Sequence, residues 1–295
     1  MAESVEKLED VIVRSAEQVS GQVRAAKDAI ASVIFGQDRV IENTLVTILS
    51  GGHALLIGVP GLAKTKLVET LGITLGLDAK RIQFTPDLMP SDILGAEVLD
   101  ESNSGKRSFR FIAGPVFAQL LMADEINRAS PRTQSALLQA MQEQHITVAG
   151  ARHYLPKPFH VLATQNPLEQ EGTYPLPEAQ LDRFLMEIDV DYPDRDAERR
   201  ILFETTGAEE TLAKGAMTAD ALIAAQRLVR RLPVGDSVVE AILSLVRSAR
   251  PGPDAGEAGK LIAWGPGPRA SQALMLASRA RGEPSHVDDG CETCR

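Results

Sequence analysis

One stretch, GVPGLAKT from Gly58 to Thr65, constrains the fold more than any other part of the chain. It follows a short apolar run, residues 53–57, and leads into a segment with helical periodicity, residues 66–71. An apolar strand, a Gly/Pro turn carrying Lys-Thr and then a helix suit a phosphate-binding loop, because backbone N–H groups and the helix N-terminus then point at the anion. The stretch therefore predicts a strand–loop–helix unit that binds phosphate.

Three residues of this loop have separate expected roles. Lys64 should reach the outer phosphates, and the hydroxyl of Thr65 can ligate Mg²⁺. Ala63 stands where the pattern GxxxxGK[ST] has its second glycine, and its methyl group is tolerable if the residue has helical backbone angles. The alternative interpretation is an ordinary glycine-rich turn between a strand and a helix.

The acidic composition argues against nucleic acid as a partner. The chain has 295 residues, 31 Lys+Arg against 40 Asp+Glu, and a net charge of −9; a primary nucleic-acid binder would be basic. The N-terminus lacks the features of a signal peptide, and no apolar stretch is long enough to span a bilayer. We therefore expect a cytoplasmic protein without stable membrane insertion.

The two cysteines, Cys291 and Cys294, form a CxxC near the C-terminus. With His286 they offer only three candidate ligands, whereas a structural zinc site normally takes about four protein ligands. We therefore do not expect a metal or redox site here.

A pair of acids, Asp124-Glu125, follows the apolar run at residues 118–123. Acids at the C-terminal end of a buried strand lie where open α/β sheets bind ligands. Asp124 would hold Mg²⁺ through water, and Glu125 would orient and deprotonate the attacking water. The alternative is a solvated strand end without chemistry.

Three further polar residues are candidates, each with a structural alternative. Asn166 ends the next apolar strand and can hydrogen-bond the attacking water or the γ-phosphate, or simply form a turn. Arg183 can offset γ-phosphate charge in the transition state, often in a neighbouring subunit, or pair with an acid such as Asp182. Arg269 lies in the first turn of a helix, which suits a cation only if an anion faces it; otherwise it is solvent-exposed.

Together these segments resemble the AAA+ ATPases, and more narrowly the MoxR family. GVPGLAKT is similar to that family's Walker A loop, including the alanine at 63. The other matching segments are LLMADEIN at 120–127 (Walker B), ATQN at 163–166 (sensor 1), LDRF at 181–184 (the arginine-finger segment), GPRA at 267–270 (sensor 2) and Phe35-Gly36-Gln37, which matches the element near adenine. They occur in the family's order over about residues 20–282, and such a joint match is far more specific than one motif.

The resemblance implies an α/β P-loop NTPase (AAA+) fold, with a parallel five-stranded sheet core, two hairpin inserts, a C-terminal all-helical lid and assembly into a ring, usually a hexamer. The hairpins should lie at residues 96–112 and 145–155, where the sequence alternates around polar turns. The predicted parts are an N-terminal helix (1–32), the AAA+ α/β core (33–193), the helical lid (194–282) and an atypical tail (283–295).

The resemblance also implies the cofactors ATP and Mg²⁺ and a role for each matched residue. Thr65 and Asp124 would hold the metal. The catalytic set would be Lys64, Glu125, Asn166, Arg183 and Arg269, with Arg269 reaching the phosphates from the lid and Arg183 completing the neighbour's site. The nucleotide would contact Phe35, Gly36, Gln37, Gly58, Pro60, Gly61, Leu62, Ala63, Lys64, Thr65 and Lys66.

The implied function is ATP hydrolysis by a chaperone that remodels or activates a client enzyme, for example by metal insertion, together with a von Willebrand A-domain protein. The alternative is an ATP-switched scaffold with negligible hydrolysis. A DNA-dependent motor shares the fold, but the acidic composition counts against it. An aromatic–apolar–Gly loop after the second strand, which a processive unfoldase would need, is not evident in the sequence.

The sequence after Ala280 departs from the family, whose lid normally continues through further helical sequence. We therefore expect weaker nucleotide-dependent assembly than in a full-length relative. Native mass spectrometry with ATP tests this, and an ordinary stable hexamer would contradict it.

Overall fold

The structure is a computed structural model that describes residues 2–101, 107–168, 172–207, 211–252, 257, 262 and 265–282. The tail with His286, Cys291 and Cys294 lies outside these residues. Within the described ranges, none of the helices has the length and apolar character needed to cross a membrane. The same ranges contain no group of three or more His, Cys, Asp or Glu side chains suited to a metal ion.

A five-stranded sheet forms the centre of the molecule, in the order β2-β5-β8-β1-β9. All of its pairings are parallel, so the predicted parallel α/β core is confirmed. Its strands are β1 (Ala54–Ile57), β2 (Ala79–Gln83), β5 (Leu120–Asp124), β8 (His160–Gln165) and β9 (Met186–Asp189). The interior strand β5 is buried along its whole length, as expected for a parallel sheet covered on both faces.

Helices cover both faces of the sheet because alternate strand residues point to opposite sides. Leu56 belongs to one hydrophobic cluster with α1, α2, α3 and α8, and Leu55 belongs to a second cluster with α5. The helices are α1 (Ala2–Ala31), α2 (Asp38–Leu49), α3 (Lys64–Leu75), α4 (Pro90–Leu94), α5 (Pro131–Glu143), α6 (Glu178–Leu181), α7 (Arg195–Thr205), α8 (Ala219–Val229), α9 (Asp236–Ser248) and α10 (Pro268–Arg281).

Two antiparallel hairpins interrupt the α/β alternation, as predicted. One pairs β3 (Gly95–Glu101) with β4 (Arg107–Ala113), and the other pairs β6 (His145–Val148) with β7 (Ala151–Tyr154). The hairpins contact each other where Phe111 stacks on His153, with ring centroids 3.9 Å apart.

The C-terminal helices α7 to α10 match the predicted helical region, and α8 connects it to the sheet. Nε2 of Gln226 in α8 donates to the carbonyl oxygen of Ile48 at 2.8 Å and to Nε2 of His160 at 3.0 Å. His160 begins β8, so this contact lies at the amino ends of the strands. The division into four parts stays a prediction.

Candidate nucleotide site

The predicted phosphate loop lies between the end of β1 and the start of α3. Helix α3 has no side chain that caps its first turn, so its leading N–H groups are arranged as in an anion site. Gly58 is required for packing, because a Cβ atom there would lie 2.6 Å from the carbonyl oxygen of Val190. Gly61 has a φ of +87°, which favours glycine.

The expectation that Ala63 has helical backbone angles is wrong. Its φ of 55° and ψ of 20° lie in the left-handed region, which costs an L-residue about 1–2 kcal/mol. A glycine at this position of the loop would avoid that cost. Ala63 therefore holds a strained turn immediately before Lys64.

The loop, both acids and Asn166 line one cavity of ≈ 410 Å³. They converge because β1, β5 and β8 are parallel neighbours whose carboxyl ends meet at one edge of the sheet. The lining residues are Pro60, Gly61, Leu62, Ala63, Lys64, Thr65, Lys66, Asp124, Glu125, Thr164 and Asn166. The structure thus brings together most of the residues predicted to bind phosphate and metal.

Lys64 folds back over its own loop. Its Nζ donates to the carbonyl oxygens of Gly58 at 2.5 Å and Val59 at 2.9 Å. Partial burial lowers the pKa of the Lys64 ammonium from its ordinary value, while the nearby carboxylates of Asp124 and Glu125 act in the opposite direction. A bound phosphate would add a further anion beside this lysine.

Polar partners hold both acids in place. Thr164 donates from Oγ1 to Oδ1 of Asp124 at 2.6 Å and accepts from the backbone N–H of Glu125 at 2.9 Å. Glu125 has a φ of 54°, so the chain turns sharply directly after β5. Its Oε2 accepts from Nε2 of Gln83 at 2.7 Å and from Nη1 of Arg128 at 3.0 Å.

The donor atoms in this cavity suit Mg²⁺. Thr65 supplies a hydroxyl and Asp124 a carboxylate, and Mg²⁺ prefers such hard oxygen ligands, often through water. Asp124 is only 9% exposed, so its charge needs a cationic partner. In the structure that partner is Arg81, whose Nη2 lies 2.5 Å from Oδ2 of Asp124.

Asn166 is 5% exposed at the carboxyl end of β8. Its Oδ1 accepts from the N–H of Leu168 at 3.1 Å, so the turn-forming alternative is realised. The Nδ2 amide is then the donor from which a phosphate oxygen or a water can accept.

A second cavity of ≈ 580 Å³ adjoins the phosphate loop through Gly61, Leu62 and Ala63. Phe35 and Gln37, which belong to the element predicted to lie near the nucleobase, line this cavity. Gly36 instead permits close packing, since a Cβ atom there would lie 2.5 Å from Cβ of Ala197. Its other lining residues are Val33, Ile34, Lys66, Pro193, Ile201, Glu204, Thr205, Gly207 and Thr211.

The structure places Arg183 and Arg269 together, away from the phosphate loop. Both line a cavity of ≈ 240 Å³ with Gly52 and His53, and Nη1 of Arg269 donates to the carbonyl oxygen of Asp182 at 3.4 Å. These residues lie at the amino ends of β1 and β9. Gly52 and Gly58 are six residues apart along an extended strand, roughly 20 Å.

Four residues that contact the paired acids were not predicted from the sequence: Thr164, Arg81, Gln83 and Arg128. Thr164 lay within the sensor 1 segment but was given no role. Arg81 and Gln83 alternate on β2, and Gln83 pairs in register with Asp124. Alternation on a strand next to the acid-bearing strand was the available signal, but strand order was needed to interpret it.

A parallel sheet with a phosphate loop after β1 and paired acids after a neighbouring strand defines an α/β P-loop NTPase of the AAA+ class. Residues 53–186 match the ATPase family associated with various cellular activities (AAA). A crystal structure of a candidate ATPase from Cytophaga hutchinsonii superposes with a TM-score of 0.83 and 36% identity, covering 93% of this chain and 83% of that one.

Curated relatives narrow the class. The chain is 42% identical to the chaperone MoxR1 of Mycobacterium tuberculosis over 270 residues, which is 90% of this chain and 71% of the relative. It is 32% identical to the protein MoxR of Paracoccus denitrificans over 276 residues, covering 87% and 80% of the two chains. The chain belongs to the MoxR family of AAA+ ATPases.

Proposed function

We propose that this protein hydrolyses ATP with Mg²⁺ at the carboxyl edge of its sheet. The observation that carries the proposal is the single cavity shared by Lys64, Thr65, Asp124, Glu125 and Asn166. An open α/β sheet binds ligands at this edge, and the family membership favours ATP over other phosphate ligands.

Each residue of this cavity has a proposed role in ATP hydrolysis that matches its chemistry. The loop N–H groups and Lys64 would bind the phosphates, and Thr65 and Asp124 would hold the metal, which offsets phosphate charge when bound. Glu125 would orient and deprotonate the attacking water. Asn166 would hydrogen-bond that water or the γ-phosphate.

Arg183 and Arg269 would act on the nucleotide of a neighbouring subunit. Their position at the amino edge of the sheet supports this for both residues, so we revise the role expected for Arg269, which was to reach the phosphates of its own chain. A ring in which the amino edge of one subunit faces the carboxyl edge of the next would supply both cations. A hexamer fits this head-to-tail arrangement.

We further propose that hydrolysis drives the remodelling of a protein client. The support is the name of the Mycobacterium tuberculosis relative, a chaperone, together with the exposed hairpin β3–β4, whose Phe109 is 73% exposed. A von Willebrand A-domain partner and metal insertion into a client enzyme remain the specific form of this proposal.

Steady-state phosphate release tests the proposed chemistry. The variant E125Q should bind ATP, but its turnover rate should be at least about 100-fold lower than that of the wild-type protein, because the general base is lost. The control E69Q removes an exposed carboxylate from α3 and should leave turnover unchanged. Unchanged turnover in E125Q would show that Glu125 is not the general base.

The same assay separates hydrolysis from the alternative, an ATP-switched scaffold. One observation favours the scaffold: Gln83 and Arg128 already engage the Glu125 carboxylate. ATP binding by the wild-type protein with no phosphate release above that of E125Q, in the presence or absence of partner proteins, would support the scaffold.

A further inference from the structure

The edge strand β2 carries a cation that contacts the proposed metal ligand. Arg81 donates from Nη2 at 2.5 Å and from Nε at 3.2 Å to the same oxygen of Asp124, Oδ2. Gln83, two residues further on the same strand, accepts from Nη2 of Arg81 at 3.0 Å. Arg81 is therefore fixed between two partners next to the phosphate cavity.

While Thr164 and Arg81 keep their hydrogen bonds to Asp124, neither carboxylate oxygen is readily accessible to a metal ion. Thr164 donates to Oδ1, and Oδ2 already accepts two N–H groups of Arg81. A divalent cation that approaches Oδ2, directly or through a water, meets the guanidinium. Since like charges repel, the ion and Arg81 cannot both stay close to this carboxylate.

Arg81 is also able to leave. Its side chain is 51% exposed, whereas that of Asp124 is 12% exposed. A guanidinium that moves into water loses little interaction free energy, because ion pairs of exposed side chains contribute weakly to stability. The buried carboxylate, in contrast, needs a cation at all times.

We propose that Arg81 is the counter-ion of Asp124 in the metal-free protein and competes with Mg²⁺ for it. Arg81 is thus a positioning residue that orients the carboxylate through two hydrogen bonds, and its displacement accompanies metal binding. This inference rests on the proposed function, since it assumes that the cavity takes a nucleotide with Mg²⁺. It goes beyond that function because it proposes that a residue of β2 sets how strongly Mg²⁺ binding and nucleotide binding are coupled.

The expected effect follows from charge. Loss of the competing cation should strengthen the coupling between metal and nucleotide, by about two- to tenfold given the exposure of Arg81. R81K keeps the charge, but an ammonium lacks the fork that grips one carboxylate through two N–H groups. It should therefore lie between the wild-type protein and R81Q.

Fluorescence titration of a labelled ADP measures this coupling as the ratio of its Kd in EDTA to its Kd in saturating Mg²⁺. R81Q should raise the ratio by about two- to tenfold, and R81K by less. The matched control is K80Q, which removes the same charge from the adjacent residue of β2. Lys80 donates to the carbonyl oxygen of Phe117, and its replacement should leave the ratio unchanged.

An unchanged or smaller ratio in folded R81Q would overturn the inference, as would an equal rise in K80Q. If R81Q does not fold, R81K decides, because its ratio must then exceed the wild-type value. Absence of ADP binding by the wild-type protein would instead count against the proposed function itself. A wild-type protein that binds ADP with Mg²⁺ while R81Q shows no change leaves the proposed function intact.

Discussion

Two non-glycine residues of the candidate site have left-handed backbone angles. Ala63 precedes Lys64, and Glu125 follows the buried strand β5, with φ values of 55° and 54°. Strain of this kind persists where the surrounding structure enforces it, and it is common at functional sites. At Ala63 the enforced turn directs the loop into α3, and at Glu125 it turns the chain where the carboxylate must face the cavity.

The strain at Ala63 predicts an unusual response to glycine. A63G should leave the free energy of unfolding unchanged or raise it by up to about 1 kcal/mol, because relief of the left-handed angle outweighs the extra entropy of the unfolded chain. The control A224G, at an exposed position inside α8, should lose about 1 kcal/mol. Equal losses in urea unfolding of the two variants would refute the strain argument.

At this scale the sequence predicted which residues line the phosphate cavity better than it predicted their conformation. Lys64 and Thr65 were recognised from the loop pattern GVPGLAKT, and Asp124, Glu125 and Asn166 because they lie at the ends of apolar strands. The angle at Ala63 was misjudged because one residue's identity does not reveal its φ. Arg81 was missed because its partner lies on a neighbouring strand, 43 residues along the chain.

At the scale of elements, two buried histidines lie at the amino edge of the sheet, and one of them, His160, contacts Gln226 of α8. Nδ1 of His53 accepts from the N–H of Val161 at 2.9 Å, and His160 bonds the carbonyl oxygen of Gly52 through Nδ1 at 2.8 Å. Burial, reinforced by His160, lowers the pKa of His53 from 6.5 to about 3, and burial lowers that of His160 to about 4. Both rings are therefore neutral in the folded protein near neutral pH.

These lowered pKa values predict that acid weakens the fold. Below about pH 6.5 the unfolded chain binds protons that the folded protein excludes, so stability falls as the pH drops towards the folded pKa values. Each histidine contributes a slope of up to about 1.4 kcal/mol per pH unit. Urea unfolding between about pH 7.5 and about pH 5.5 should show this slope.

The variant H160Q removes one of the two titrating groups and should reduce the slope by up to about 1.4 kcal/mol per pH unit. Its amide can still accept a hydrogen bond from Gln226, so the contact with α8 can persist. A slope equal to that of the wild-type protein would show that His160 does not carry the pH dependence.

Periodicity predicted the elements themselves well, including both hairpins and the helical C-terminal region. Alternation and 3.6-residue repeats are local properties, so the sequence displays them directly. The docking of α10 at the amino edge of the sheet is a tertiary property. The sequence therefore predicted the helix that carries Arg269. It could not predict that Arg269 lies beside Asp182.

At the scale of the whole molecule, the proposed machinery lies at opposite edges of the sheet. The phosphate cavity is at the carboxyl ends of the strands, and Arg183 and Arg269 are at the amino ends. A complete site then needs two subunits in a head-to-tail contact. Such contacts close into rings when the rotation between subunits allows it.

Mixing variants tests this arrangement. K64A and R183A should each be inactive, because one lacks the phosphate lysine and the other the cation for its neighbour. An equal mixture should recover about a quarter of wild-type turnover, since that share of random head-to-tail contacts joins an intact loop to an intact arginine. R269A should complement K64A in the same way. Failure to do so would indicate that Arg269 acts on the nucleotide of its own chain.

The central claim is that Lys64 and Asp124 share one bound magnesium nucleotide. Calorimetric titration of Mg–ATP into the E125Q protein, where hydrolysis is blocked, tests it most directly. We predict one nucleotide bound per chain, and binding at least about tenfold weaker when either K64A or D124N is added to E125Q. Binding that is unaffected by both additions would contradict the account.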